Sequence, residues 1–150
     1  MKLQFFVAGI PKTAGSKRAY FNRRTGKPIL VDDCDNKNWK NIIRWEYEKA
    51  CHEEGLNCVV LLSKLFLGYP IKLTVTFAMP RPRSHFGAGG KLKASAPVNH
   101  TSRPDATKLL RCLEDSLNNI AWKDDSQICQ QIVHKVYSDK PGAHVTIEDL

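Results

Sequence analysis

Four side chains in this sequence have the types and spacing for metal-ion chemistry: Asp105, the pair Asp124-Asp125, and the cation Arg111. They share one stretch, RPDATKLLRCLEDSLNNIAWKDDSQ, residues 103–127. Asp105 follows Pro104 and falls at a helix cap or in its first turn. Beyond it, Ala106, Leu109, Leu110, Leu113 and Leu117 recur on one helical face. Thr107, Arg111 and Glu114 lie on the far side, with Lys108 and Asp115 beside them. A helix ending near Leu117 carries the chain roughly 18 Å from Asp105 at 1.5 Å per residue. The eight steps from Leu117 to Asp125 can span roughly 26 Å when extended. Asp125 can therefore return to Asp105 within one chain if Ile120 and Trp122 pack back along the helix.

Carboxylates gathered in this way repel one another unless a cation joins them. An all-oxygen set suits Mg2+, which keeps several waters and binds through one or two carboxylates plus substrate phosphate. Such an ion polarises a phosphodiester and lowers the pKa of an attacking water, while Arg111 could steady the charge that develops. The plainer reading is that Asp105 only caps its helix and Asp124-Asp125 only form a turn. Spacing alone does not choose between them.

The elements that must position these residues follow from periodicity. Residues 2–8 read as a strand closed by Gly9 and Pro11. A basic hairpin is expected from about Arg18 to Val31, with Lys12, Lys17, Arg18, Arg23, Arg24 and Lys27 around Tyr20 and Phe21. Its cations suit phosphate contacts and equally suit an edge guarded against aggregation. A helix is expected from about Asp35 to Glu54, capped by Asp32, Asp33 and Asp35 and ended by Gly55. Residues 56–69 are apolar without a clear period. IKLTVTFAM, residues 71–79, alternates cleanly and is a strand. Residues 80–104 are rich in Pro, Gly and Ser and carry Arg81, Arg83, Lys91 and Lys93. They are expected to form a flexible basic loop that orders on DNA. His85 and His100 in this loop are read as surface residues, since no second ligand stands at metal-binding spacing. Residues 127–137 and 143–148 read as two strands joined by a turn, with His134 and His144 packing as neighbours across them. The sum is one domain over residues 1–150 with an α+β fold: a mixed β-sheet, two packed helices and a long basic loop.

Composition narrows the class. A net charge of +8 and a pI near 9.4 favour a polyanionic partner, foremost nucleic acid. No apolar run reaches 18 residues, so no membrane partner is expected. Five cysteines without a C-x-x-C argue against a zinc knuckle or a disulfide framework and for reduced thiols in a cytoplasmic protein.

The cationic segment, RPD-x-x-K-L-x-R, the helix ending LEDSL-N and the W-x-DDSQ that follows resemble the RusA family of Holliday junction resolvases, which are largely phage and prophage proteins. The resemblance covers most of the chain, from the strand ending G-I-P-K onward. It implies a dimer that cuts branched DNA, the four-way junction, with Mg2+ or Mn2+ in the bacterial cytoplasm. The family's motif is P-D-x-D-N-L-x-K followed by a D-D pair. On it, Asp105 and Asp125 are metal ligands and catalytic, Asp124 and Thr107 assist the metal, and Arg111 stands in place of an essential lysine. Thr107 replaces the second aspartate and Lys108 the asparagine, which removes one charge and adds an opposite one. Phosphate contacts are implied for Lys12, Lys17, Arg18, Arg81, Arg83 and Arg103. The competing reading is a DNA-binding protein on the same scaffold without catalysis. A PD-(D/E)xK nuclease is disfavoured, because no D/E-x-K follows Pro104-Asp105 at a useful distance.

Overall fold

The computed structural model describes residues 1–15, 17–32, 36–55, 66 and 68–150, with the backbone alone for 17–20 and 29–32. Its organising strand is β4 (Ile71–Pro80). Ile71, Leu73, Val75 and Phe77 are fully buried, and the alternate Lys72, Thr74 and Thr76 are half-buried. That alternation is the mark of a sheet covered by helices on one face only. β1 (Lys2–Ala8), β5 (Ile128–Ser138) and β6 (Gly142–Asp149) complete a four-stranded sheet in the order β1-β6-β4-β5. β6 runs antiparallel to both β1 and β4, and β5 runs parallel to β4. The sheet is thus mixed, as expected.

Two helices fill the covered face. α1 (Lys37–Glu53) buries Trp39, Ile43, Tyr47, Ala50 and Cys51. α2 (Ala106–Leu117) buries Leu109, Leu110, Cys112, Leu113 and Leu117. They meet Leu3, Phe5 and Val7 of β1 and Val145 and Ile147 of β6 in one core. Phe5 stacks edge-on against Tyr47 at 5.9 Å, a favoured aromatic geometry. The basic hairpin forms as β2 (Lys17–Asn22) and β3 (Lys27–Asp32), apart from the main sheet. Asn22 makes its turn, accepting hydrogen bonds from the Arg24 and Thr25 backbone N–H groups.

Two expectations are corrected. The cap position of α1 is Asn36, whose side chain bonds not to the helix but to the Thr13 carbonyl at 3.1 Å. Asp32 ends β3, and Asp33 and Asp35 lie outside the described residues. Second, β5 and β6 are not a hairpin, because β4 lies between them. His134 and His144 both stand opposite Thr76, on either side of it, and His144 packs on Phe6 instead. The connection is long enough for this crossing. Four steps from Ser138 to Gly142 reach roughly 13 Å, against roughly 9.6 Å for two strand spacings.

Residues 81–104 carry two 3-10 turns, Arg83–His85 and Ala88–Gly90. The segment joins the outer edge of β5 through the His100 N–H to the Lys135 carbonyl, 3.0 Å, and the Tyr137 N–H to the Val98 carbonyl, 2.8 Å. His85 and His100, expected at the surface, are half-buried with both rings 4.6 Å from Tyr137. Cys51 and Cys112 pack in the core and Cys129 is exposed, while Cys34 and Cys58 lie outside the described residues. No helix among the described residues is long and apolar enough to cross a membrane.

Candidate functional site

Asp105 is the N-cap of α2, in extended backbone conformation, but its carboxylate makes no capping hydrogen bond. It points outward instead, with its side chain 64% exposed, and Lys108 lies 3.8 Å away across the first turn. That exposure leaves the carboxylate accessible to a ligand, and the open pairing with Lys108 is a weak one. Thr13, Arg103, Pro104, Asp105 and Lys108 line a cleft of about 560 Å³. The N-terminal segment is fixed over this helix by the Ala14 N–H, which bonds the Lys108 carbonyl at 3.0 Å. Lys135 of β5 supports the cleft from below. Its ammonium donates to the carbonyls of Ser102 at 2.8 Å and Pro104 at 2.7 Å. Sequence reasoning missed Lys135, because only the packing of β5 under residues 102–104 gives it this role.

At the other end of α2 the chain turns through Asn119, a residue at φ 62°, and buries Ala121 and Trp122. Trp122 is the anchor expected of it. Its indole N–H donates to Asp125 Oδ1 at 2.8 Å. Asp124 caps a 3-10 turn at Asp125–Gln127, in a capping box completed by the Gln127 side chain. Hydrogen bonds from Ser126 hold the Asp124 carboxyl below the usual carboxylate range. Glu114 faces this turn and accepts a hydrogen bond from Gln131. Burial, then Asp125, then Asp115, push its carboxyl up to about 7. Lys40 offsets the charge of Asp115 at 3.6 Å.

These contacts correct the expected convergence. β5 runs antiparallel to α2: Gln131 near its start meets Glu114, and Lys135, four residues on, meets Pro104. Asp125 precedes the strand and belongs with Glu114, whereas Asp105 sits nine residues earlier on the helix. That separation is roughly 13 Å along the axis at 1.5 Å per residue. The chain does not double back to Asp105. It turns at the helix end and enters the sheet. Among the described residues, no group of three His, Cys, Asp or Glu side chains converges to hold a metal.

The remaining predicted residues are dispersed around the Asp105 end. Thr107 and Arg111 are exposed on α2, Arg103 is exposed in the cleft wall, and Lys12 is exposed in the segment leading to Thr13. Arg83 is exposed at a 3-10 turn. Arg81 has its guanidinium engaged by the Pro97 carbonyl at 2.9 Å and by the Tyr137 ring at 5.6 Å. It stitches the long segment to β5. The side chains of Lys17 and Arg18 lie outside the described residues.

Outward carboxylates at a helix cap, cations on both sides and an open cleft equip a protein for phosphodiesters. The family model described as endodeoxyribonuclease RusA matches residues 11–148, and the chain belongs to that family. It is also similar to the protein named "Uncharacterized protein YqaN" of Bacillus subtilis (strain 168). The two are 25% identical over 150 residues, covering 99% of this chain and 96% of that one.

Proposed function

We propose that this chain is a Mg2+-dependent, structure-selective endodeoxyribonuclease that resolves four-way DNA junctions by paired symmetric nicks, working as a homodimer. The observation that carries this reading is the Asp105 carboxylate, uncommitted to its own cap and exposed in a cationic cleft, within a family of endodeoxyribonucleases. Asp105 and Asp125 offer the hard oxygen donors that Mg2+ or Mn2+ takes. When bound, such an ion lowers the pKa of an attacking water and polarises the phosphate.

Because one protomer holds the two aspartates at opposite ends of α2, Asp105 works with Asp125 of the partner subunit across a twofold axis. Asp124 and Thr107 stand beside these two as auxiliary oxygen donors. Arg111 and Lys108 steady the charge on the displaced oxygen. Lys12, Lys17, Arg18, Arg83 and Arg103 bind backbone phosphates, with Arg81 helping chiefly by holding residues 81–97 in place. The setting is the cytoplasm of a bacterial host, with the gene carried by a phage or prophage.

A synthetic four-way junction incubated with Mg2+ or Mn2+ tests this. Paired nicks are expected from the native chain, and none from Asp105→Asn or Asp125→Asn. Linear duplex cut at the same rate would count against junction selectivity. A second reading, a DNA-binding protein without catalysis, draws on the Asp105–Lys108 pairing and on the absence of a three-ligand group among the described residues. It expects salt-sensitive junction binding, no product with either metal, and no change on replacing Asp125.

A further inference from the structure

β5 is an edge strand, and the edge is only half closed. Residues 98–100 pair with its C-terminal half through the backbone of Lys135 and Tyr137, both odd-numbered. The N–H and C=O groups of one residue leave a strand on the same side, and the side alternates from residue to residue. Gln131 and Val133 therefore aim their backbone groups outward too, where they meet no partner among the described residues. Between them stands Ile132, 40% exposed on the sheet's uncovered face, with Gln130, Gln131 and His134 also exposed around it. Native proteins seldom leave such an edge open without charges or proline to guard it, and residues 130–133 contain neither.

The charges beside this edge are arranged in two groups. At one end of α2 lie Arg103, Lys108 and Lys135; at the other lie Glu114, Asp115, Asp124 and Asp125. A surface of this kind complements itself when a second copy is turned through 180° about an axis between the ends. We infer that the open edge of β5 pairs antiparallel with β5 of a second copy, on a twofold axis at Ile132, to form one eight-stranded sheet. Gln131 and Val133 then exchange backbone hydrogen bonds with their counterparts, the two Ile132 side chains cover each other, and the pairing stops where residues 98–100 take over the edge. The acidic end of each α2 is brought beside the basic end of the other. This names the partner and the surface that the nuclease reading calls for. It rests on that reading for its purpose but on the edge and the charges for its geometry.

The test is the solution mass of the full chain in EDTA without DNA, so that a lack of cleavage has no bearing on it. A mass of twice 17.0 kDa is expected. Ile132→Lys sets two ammonium groups opposite each other at the axis and should yield a folded monomer, with helix and sheet content unchanged by circular dichroism. Gln131→Pro should do the same, since its N–H serves no bond within the protomer. Ile132→Cys should give a disulfide-linked dimer on mild oxidation, because residues facing each other at a non-hydrogen-bonded pair are about 4.5 Å apart at Cα. A monomeric native chain would overturn the inference. So would a dimer that survives Ile132→Lys while Ile132→Cys fails to cross-link.

Discussion

Glu114 shows how one side chain records its neighbours. Its carboxyl is half-buried and faces Asp125 and Asp115, which raises it to about 7 from an ordinary 4.5. The proton is thus held more tightly in the folded state than in the unfolded one. Between pH 4.5 and 7 the unfolded chain releases it first, so stability falls as pH rises through this window and stays reduced above it. Glu114→Gln keeps an oxygen to accept from Gln131 but removes the charge. Urea unfolding at pH 5 and pH 8 should therefore show a loss between the two for the native chain that is reduced in the variant. The gain at pH 8 should be on the order of 1 kcal/mol, after discounting the shift for solvent screening. Asp105, Asp125 and Arg111 are legible in the sequence because a proline, a doublet and a helical period mark them. Glu114 and Lys135 are not. Each looks like a solvated charge until β5 is laid against α2, and that packing leaves no trace in local spacing.

Elements were easier to read than their order. The alternation in residues 71–79 gives β4, and the leucine stripe of residues 106–117 gives α2, because a half-buried strand and an amphipathic helix impose those periods directly. The crossing of the β5–β6 connection over the end of β4 could not be read, since the five residues 138–142 look like any hairpin turn. What fixes the crossing is a close approach at Gly142. A Cβ there would lie 2.4 Å from both the Phe6 ring and the Val7 carbonyl oxygen. The backbone oxygen cannot swing aside as a side chain would, so the strands must shift. Gly142→Ala should lower stability by about 1–3 kcal/mol, the range of an overpacked core site, and thermal unfolding would measure it. An unchanged melting temperature would mean that β1 and β6 separate more easily than this register implies. The 3-10 turns of residues 83–90 were equally unreadable, since a stretch rich in Pro and Gly has no period to follow.

At the scale of the whole molecule, the governing fact is that Asp105 and Asp125 lie at opposite ends of one helix. Reach alone permitted them to meet, since an extended return of eight residues is longer than the helix. The chain instead spends that length on burying Ala121 and Trp122 and on entering the sheet as β5. A catalytic pair divided in this way has a consequence that a pair within one protomer lacks. Asp105→Asn and Asp125→Asn chains, each inactive alone, should complement when unfolded together and refolded as a mixture. In a mixed dimer, one site receives the native Asp105 from one chain and the native Asp125 from the other, while the second site receives both asparagines. With half of the dimers mixed and one site intact in each, about a quarter of the native site concentration returns. The product also changes character. Each mixed dimer nicks a single strand of the junction where the native dimer cuts two, so nicked four-way junctions accumulate in place of resolved linear duplexes on a native gel. If both aspartates served one site in one protomer, every dimer in the mixture would lack an intact site and no nicking would appear at any ratio of the two chains.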